Sequence, residues 1–281
     1  MKRKLRIPID DIVMEEADAI PDVSFPLHAG ENWQANSEEF FLNVPGTGKF
    51  LAQEGKKVLY STDPGADPDW VRLYLNGQVL VALLHQRKII NFHASSFIYN
   101  GLGIMVLGDT GSGKSSLTVS FALGGAGFMT DDLTPLIFRD GHPLIWPLLR
   151  EVKLRADTIG KLDIDPGRLR KAEEGTGKHY FDINRARVSD FPLAVIFKIE
   201  IGECTRPEFR EPDPATKFAL LRSEICSWEI LAGMPETEEA YMHQLLEIVR
   251  KVRIVRILRP AAIKISELRS VTEDFLTTGG T

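Results

Sequence analysis

The stretch Val106-Leu-Gly-Asp-Thr-Gly-Ser-Gly-Lys-Ser-Ser116 interleaves Gly108, Gly111 and Gly113 with Asp109, Thr110 and Ser112, and follows them with Lys114, Ser115 and Ser116. Glycines at those places free successive backbone N–H groups to point at an anion, because a side chain there would block its approach. Lys114 brings a point charge, and the Ser115 hydroxyl is of the kind that ligates magnesium beside a phosphate chain. The chemistry within reach is capture of a nucleoside polyphosphate such as ATP together with Mg2+, with Gly108 to Ser116 as the cradle.

Such a cradle needs a strand before it and a helix after it. Ile104 to Leu107 is the apolar run of a strand buried on both faces. Ser115 to Leu123 reads as a helix whose N-terminal dipole faces the same anion, and Gly124-Gly125 ends it. Gly-Thr-Gly-Lys occurs twice more, at Gly46 to Lys49 and at Gly175 to Lys178. The first follows Pro45 and leads toward the charged turn Gln53 to Lys57, so a hairpin turn is expected there. The second lies in the polar run Glu173 to Tyr180 and reads as a surface loop, with a substrate-facing loop as the alternative.

The chain around these motifs has 281 residues, 43% hydrophobic and 26% charged, enough for one large domain or two small ones. Short apolar segments broken by Pro and Gly mark residues 1–75 as a small β-rich module, and residues 76–281 carry the cradle. Strands interleaved with helices indicate an α/β architecture. A helix is expected from about Gln78 to His85, which puts His85 at a helix end beside the cleft. Further expectations are a strand over Asn91 to Ile98, a hairpin turning at Asp140-Gly141, and a strand over Leu193 to Ile199. Helices over Ala215 to Leu231 and Glu236 to Val252, a strand to Leu258 and a helix over Ser266 to Leu276 complete the reading.

Composition also narrows the partners. The longest apolar runs are strand-length and Met1 to Arg6 lacks the apolar segment of a signal peptide, so no membrane contact and a cytoplasmic location are expected. Cys204 and Cys226 have no metal-ligand spacing around them and read as reduced thiols. A formal net charge of −5 argues against nucleic acid. The formation of a homo-oligomer is left open.

Phosphoryl transfer needs carboxylates as well. Asp131 and Asp132, after Phe128 to Thr130, are the first downstream candidates, one for magnesium and one to accept a hydroxyl proton; a plain turn is the competing reading. Lys153 and Arg155 would share one face of a strand and offset charge on a transferring phosphoryl group, against a merely solvated strand. Lys178 and His179 would sit on a loop that closes over substrate. His93, taken alone, reads as a core histidine.

Taken in order, "INFHASS", "GDTGSGKSS" and "FMTDD" resemble the HPr kinase/phosphorylase superfamily, whose kinase domain shares a fold with phosphoenolpyruvate carboxykinase. The likeness runs over roughly residues 40 to 200, through "FLNVPGTGKFLAQEG" and "VALLHQRKIINFHAS", and is strongest to short standalone HPr-kinase-like proteins. It implies a P-loop kinase domain in which Lys114 and Ser115 bind phosphate and magnesium, Asp131 is the general base, Asp132 assists the metal and His93 lines the active site.

Two departures qualify it. The family's glutamate after the loop serine is replaced by Ser116, and its Met-Glu-Ile-Arg-Gly-like signature is missing, which puts HPr as substrate and phosphorolysis in doubt. The resemblance therefore implies an ATP-dependent serine kinase for another protein or peptide, as related enzymes phosphorylate precursor peptides in lasso-peptide clusters. A small-molecule kinase and a nucleotide-responsive binding protein without transfer remain open.

Overall fold

The computed structural model describes residues 5–149, 151–172, 176–181, 183 and 189–279. Its contacts divide the chain into two compact units, residues 1–91 with 225–244, and residues 92–224 with 245–281.

The first unit is built on a sheet. Strands β1 (Val13–Glu16), β2 (His28–Ala29), β3 (Trp33–Ala35), β4 (Glu39–Val44), β5 (Gly48–Gln53) and β6 (Lys57–Thr62) lie in the order β1-β6-β5-β4-β3-β2. All pairs are antiparallel except β1 with β6. The first Gly-Thr-Gly-Lys copy makes the β4–β5 hairpin turn, as expected, with Val44 opposite Gly48. Gly48 is required there: φ is +150°, and a Cβ would lie 2.2 Å from the Ser61 carbonyl. Helix α1 (Pro68–Tyr74) starts at Pro68 with Asp67 as its cap, and passes through a wide turn, Leu75–Val79, into α2 (Leu80–Gln86). Position 75, where the sequence places a boundary, opens this turn, in which Gly77 departs from helical φ/ψ and kinks the segment. Gln86 ties that segment to the sheet through the carbonyls of Glu38 and Ala52.

His85 is fully buried in this unit and lines no cleft. Its Nε2 lies 3.0 Å from the Cys226 carbonyl and its Nδ1 2.9 Å from the Tyr241 hydroxyl. The expectation of a cleft-edge residue is corrected: α2 is apolar on all sides and draws its terminal histidine inside.

After the short strand β7 (Asn91–Phe92) the second unit begins. It contains β8 (Ser95–Tyr99), β9 (Leu102–Gly108), α3 (Lys114–Leu123), β10 (Gly127–Thr130), β11 (Thr134–Arg139) and β12 (His142–Ile145). β13 (Val152–Arg155), α4 (Ala156–Lys161), β14 (Leu169–Lys171), β15 (Lys178–Phe181), β16 (Phe191–Ile201) and β17 (Glu208–Arg210) follow. The remaining elements are α5 (Pro214–Ser223), α6 (Pro235–Lys251), which crosses between the units at 244/245, β18 (Arg253–Arg259) and α7 (Ile265–Thr278). The sheet path runs β10-β8-β9-β16-β12-β11, and β18 joins β16 with β17 outside it. β16 runs parallel to both β9 and β18, and its interior is buried on both faces, which is why it reads as the nearly unbroken apolar run Leu193 to Ile199.

Three sequence expectations change. Asn91 to Ile98 is not one strand, because the chain bends at His93-Ala94 between β7 and β8. α5 ends at Ser223: Glu224 lends its carbonyl to the His93 N–H, and Ser227 takes a left-handed conformation before the turn Trp228–Gly233. The described part of the third Gly-Thr-Gly-Lys copy leads into strand β15, not a loop, paired with β13 and β14. Gly175 itself lies outside the described residues.

Candidate functional site

The glycine loop leaves β9 and enters α3 as its spacing requires. Gly108, Gly111 and Gly113 all have positive φ. At Gly108 a Cβ would strike Ser112 Oγ at 2.5 Å and the Ile199 carbonyl at 2.6 Å, so close packing fixes glycine there as well. Ser112 Oγ is buried with no hydrogen-bond partner among the described residues. An orphaned hydroxyl in a loop aimed at a helix N-terminus suits an anionic guest. Lys114 is nearly buried and curls back onto the carbonyls of Gly108 (2.5 Å) and Asp109 (3.4 Å). Burial draws its pKa below the ordinary lysine value, opposed by the charges of Glu224, Asp131 and Asp132.

The two aspartates part company. Asp131 is 3% exposed, and one carboxylate oxygen accepts from both Ser115 Oγ (2.7 Å) and Ser95 Oγ (2.5 Å). Desolvation pushes its pKa up to about 6, although both hydroxyls pull it down. Asp132 takes φ +68°, a left-handed value that aspartate tolerates, and its side chain turns outward, 62% exposed. There it meets His93, whose Nδ1 lies 3.4 Å from Asp132 Oδ1. Burial and then Lys114 draw His93 below its ordinary pKa, with Asp132 and Glu224 opposing. A chain of hydroxyls, Ser96 to Thr130 to Thr134 and on to the Ala94 carbonyl, pins the strand ends that carry these groups.

Asp132, His93, Lys114, Ser115 and Ser116 line one cleft of about 360 Å³, with Asp109, Thr110, Gly111 and Gly113 in its loop wall and Lys153, Arg155 and Lys178 among its other lining residues. Asp131 lies beneath. Predicted neighbours Lys178 and His179 are separated, since strand side chains alternate. Lys178 faces the cleft, while His179 shares the face of Leu154 and Phe181, its Nδ1 buried without a partner among the described residues.

Sequence reasoning missed three groups. Arg259, 8% exposed at the end of β18, donates through Nε to the Ser112 carbonyl (2.9 Å) and so braces the loop, and it is itself among the cleft-lining residues. Lys198, opposite Leu107 in the β16–β9 ladder, pairs with Glu224 and reaches Asp109 at 3.4 Å. The signal for Lys198 was present, a single lysine within a buried apolar strand; Glu224 carried none.

Among the described residues no group of three His, Cys, Asp or Glu side chains is placed to hold a metal. Magnesium asks for less, because it binds through one or two protein oxygens and completes its shell with water and phosphate. The oxygens of Ser115 and Asp131 meet that need, and a cation would offset the charge of a carboxylate that burial now disfavours. No helix of the described residues is long and apolar enough to cross a membrane.

No protein-family profile and no curated protein matches the chain. Among solved structures, the Hpr(Ser) kinase/phosphatase from Coxiella burnetii is similar over 68% of this chain and 99% of its own, at 10% identity and a TM-score of 0.36. A likeness that distant carries no argument about this protein's family or activity.

Proposed function

We propose that the protein is an ATP-dependent kinase that transfers the γ-phosphoryl group to a serine hydroxyl of a protein or peptide. The observation that carries this reading is the Ser115–Asp131 hydrogen bond at the mouth of a glycine loop, with an exposed carboxylate and a histidine in the same cleft. A loop serine joined to a buried aspartate is the pairing that holds magnesium against phosphates in such loops. When bound, held by Ser115 and Asp131, the ion would offset negative charge on the phosphates.

The geometry favours exchanging the roles that the sequence assigned to the two aspartates. Asp131 is enclosed and committed to Ser115, so it serves the metal site. Asp132 reaches the open cleft and is the general base: it takes the proton of the acceptor hydroxyl while the oxygen forms its bond to the γ-phosphorus and the bond to the β–γ bridging oxygen breaks, leaving ADP. His93, with Nδ1 3.4 Å from Asp132 Oδ1, orients that carboxylate. Lys114 leaves its loop carbonyls for the phosphates, where it offsets developing charge.

Incubation with γ-labelled ATP, magnesium and a serine-peptide library should label peptide with the wild type. Asp132→Asn should lower the transfer rate about 10²–10⁴-fold with Mg-ATP affinity retained. Undiminished transfer by that variant sinks the base assignment, and absence of labelled acceptor with any peptide sinks the peptide-kinase reading.

A further inference from the structure

The cleft has two chemically different flanks. Helix α3 packs against α7 on one side and against β13 on another. Toward α7 the cleft is lined by Ala261, Ile263 and Ile265. Toward β13 it is lined by Lys153, Arg155 and Lys178. Arg155 and Lys178 are direct cross-strand partners in the antiparallel β13–β15 pair, and Lys153 stands on the same face two residues away.

The opposite face of that ladder, Val152, Leu154 and Phe181, is committed to an apolar core, so the cations cannot turn inward. Like charges placed directly across a ladder repel one another. Of the nearest carboxylates in sequence, Glu151 pairs with Arg170 at 2.6 Å, and Asp157, which lines the same cleft, pairs with Lys161 of that lining at 3.4 Å, so this flank keeps an excess of positive charge. Neither Arg155 nor Lys178 has an ion pair among the described residues, and Lys153 leans over the Tyr180 ring at 5.1 Å. Two cations side by side at the rim of a cleft, with no ion pair to either among the described residues, suit an anion.

The nucleotide does not fill that need. Its phosphates meet the loop, Lys114 and the start of α3, and its flat, largely apolar base matches the Ala261–Ile265 flank. What remains for the cationic flank is the acceptor. We infer that the hydroxyl acceptor carries an anionic group, a carboxylate or a phosphate, close to its hydroxyl, and that Arg155 and Lys178 bind it with Lys153 in support. This rests on the kinase reading above and narrows its substrate class to acidic serine peptides, or to small hydroxyl compounds bearing the same anion.

The test uses the full chain with MgADP at low ionic strength. Fluorescence anisotropy compares a labelled peptide whose single serine is flanked by glutamates with its glutamine counterpart, and calorimetry measures glycerol phosphate. The wild type should prefer the glutamate peptide by about tenfold or more. The double variant Arg155→Gln/Lys178→Gln should shrink that preference to within twofold while MgADP affinity stays within twofold. Glycerol phosphate binding that the double variant abolishes, without peptide preference, assigns the same anion site to a small acceptor. The inference is overturned if neither probe binds by its charge, if the double variant keeps the preference, or if it loses MgADP affinity in parallel, which would give these cations to the nucleotide. Transfer from γ-labelled ATP is read on the same samples. Charge-selective binding without transfer breaks the kinase reading and leaves the anion site, and transfer without charge selectivity does the reverse.

Discussion

His85 in the first unit and Asp131 in the second are both buried with strongly shifted titration, and the two are treated in opposite ways. In the first unit His85 is enclosed, with Tyr241 on one ring nitrogen and the Cys226 carbonyl on the other, and burial lowers its pKa to about 4. Nothing about it faces a cleft, and it is a packing histidine with satisfied polar atoms. In the second unit Asp131 is as deeply buried, yet its pKa is raised to about 6, and its hydroxyl partner Ser115 lines a cleft beside a buried lysine and an exposed carboxylate. Burial and a shifted pKa do not by themselves mark function. What separates the two sites is whether the partners are used up inside the fold or left facing a space where a ligand fits.

The largest effect that sharpens this contrast is expected at Lys114. Lys114→Ala should reduce transfer about 10²–10³-fold, the scale lost when one preorganised charge is removed from a transfer site. Its melting temperature should not fall, since burial already disfavours the ammonium. A variant that unfolds, or that transfers at the native rate, would move Lys114 to the structural side of the comparison. His85→Leu should behave in the opposite way. It removes the two ring hydrogen bonds, to the Tyr241 hydroxyl, which keeps the Ile89 carbonyl at 2.7 Å, and to the Cys226 carbonyl; this costs roughly 1–3 kcal/mol of stability, and transfer per folded molecule should be unchanged.

pH separates the two groups further, because their shifts have opposite sign. His85 binds its proton less readily folded than unfolded, so its contribution to stability is complete above pH 6.5 and is lost as pH falls toward about 4. Asp131 binds its proton more readily when folded. Its contribution is complete below pH 3.8 and is lost as pH rises through about 6. Each amounts to roughly 3 kcal/mol at one pKa unit per 1.36 kcal/mol, so in metal-free protein the two slopes nearly cancel between pH 4 and 6. Denaturant titrations of Asp131→Asn should uncover the histidine slope alone, with stability falling as pH drops, and this variant should exceed the wild type by about 1–3 kcal/mol at pH 7. A pH profile parallel to the wild type would show that Asp131 carries no burial cost in the folded protein.

Much of this was legible in the sequence, and the limits have physical reasons. The loop was readable because strand, glycines, lysine and helix are contiguous, and the Asp140-Gly141 hairpin because both residues accept left-handed conformations. The aspartate pair was readable as the first carboxylates after the loop helix and His93 entered through resemblance, but the pair's division of labour was hidden because it depends on one backbone angle at Asp132. Lys198, Glu224 and Arg259 reach the loop from strands and a helix end far away in sequence, and only the parallel register of β16 and β18 brings them there. Lys178 and His179 looked like one loop until strand pairing turned them to opposite faces. His85 was misplaced because a helix end in sequence need not be an end at the surface.

The claim on which the account stands is that Asp131 is buried for the sake of a metal-bound nucleotide. Calorimetric titration of ATP into wild type, Asp131→Asn and Asp132→Asn, each with and without magnesium, tests it most directly. Magnesium should strengthen ATP binding to the wild type and to Asp132→Asn to a similar degree, and this gain should disappear in Asp131→Asn. A gain that survives in Asp131→Asn but vanishes in Asp132→Asn, or a wild type that does not bind ATP, would contradict it.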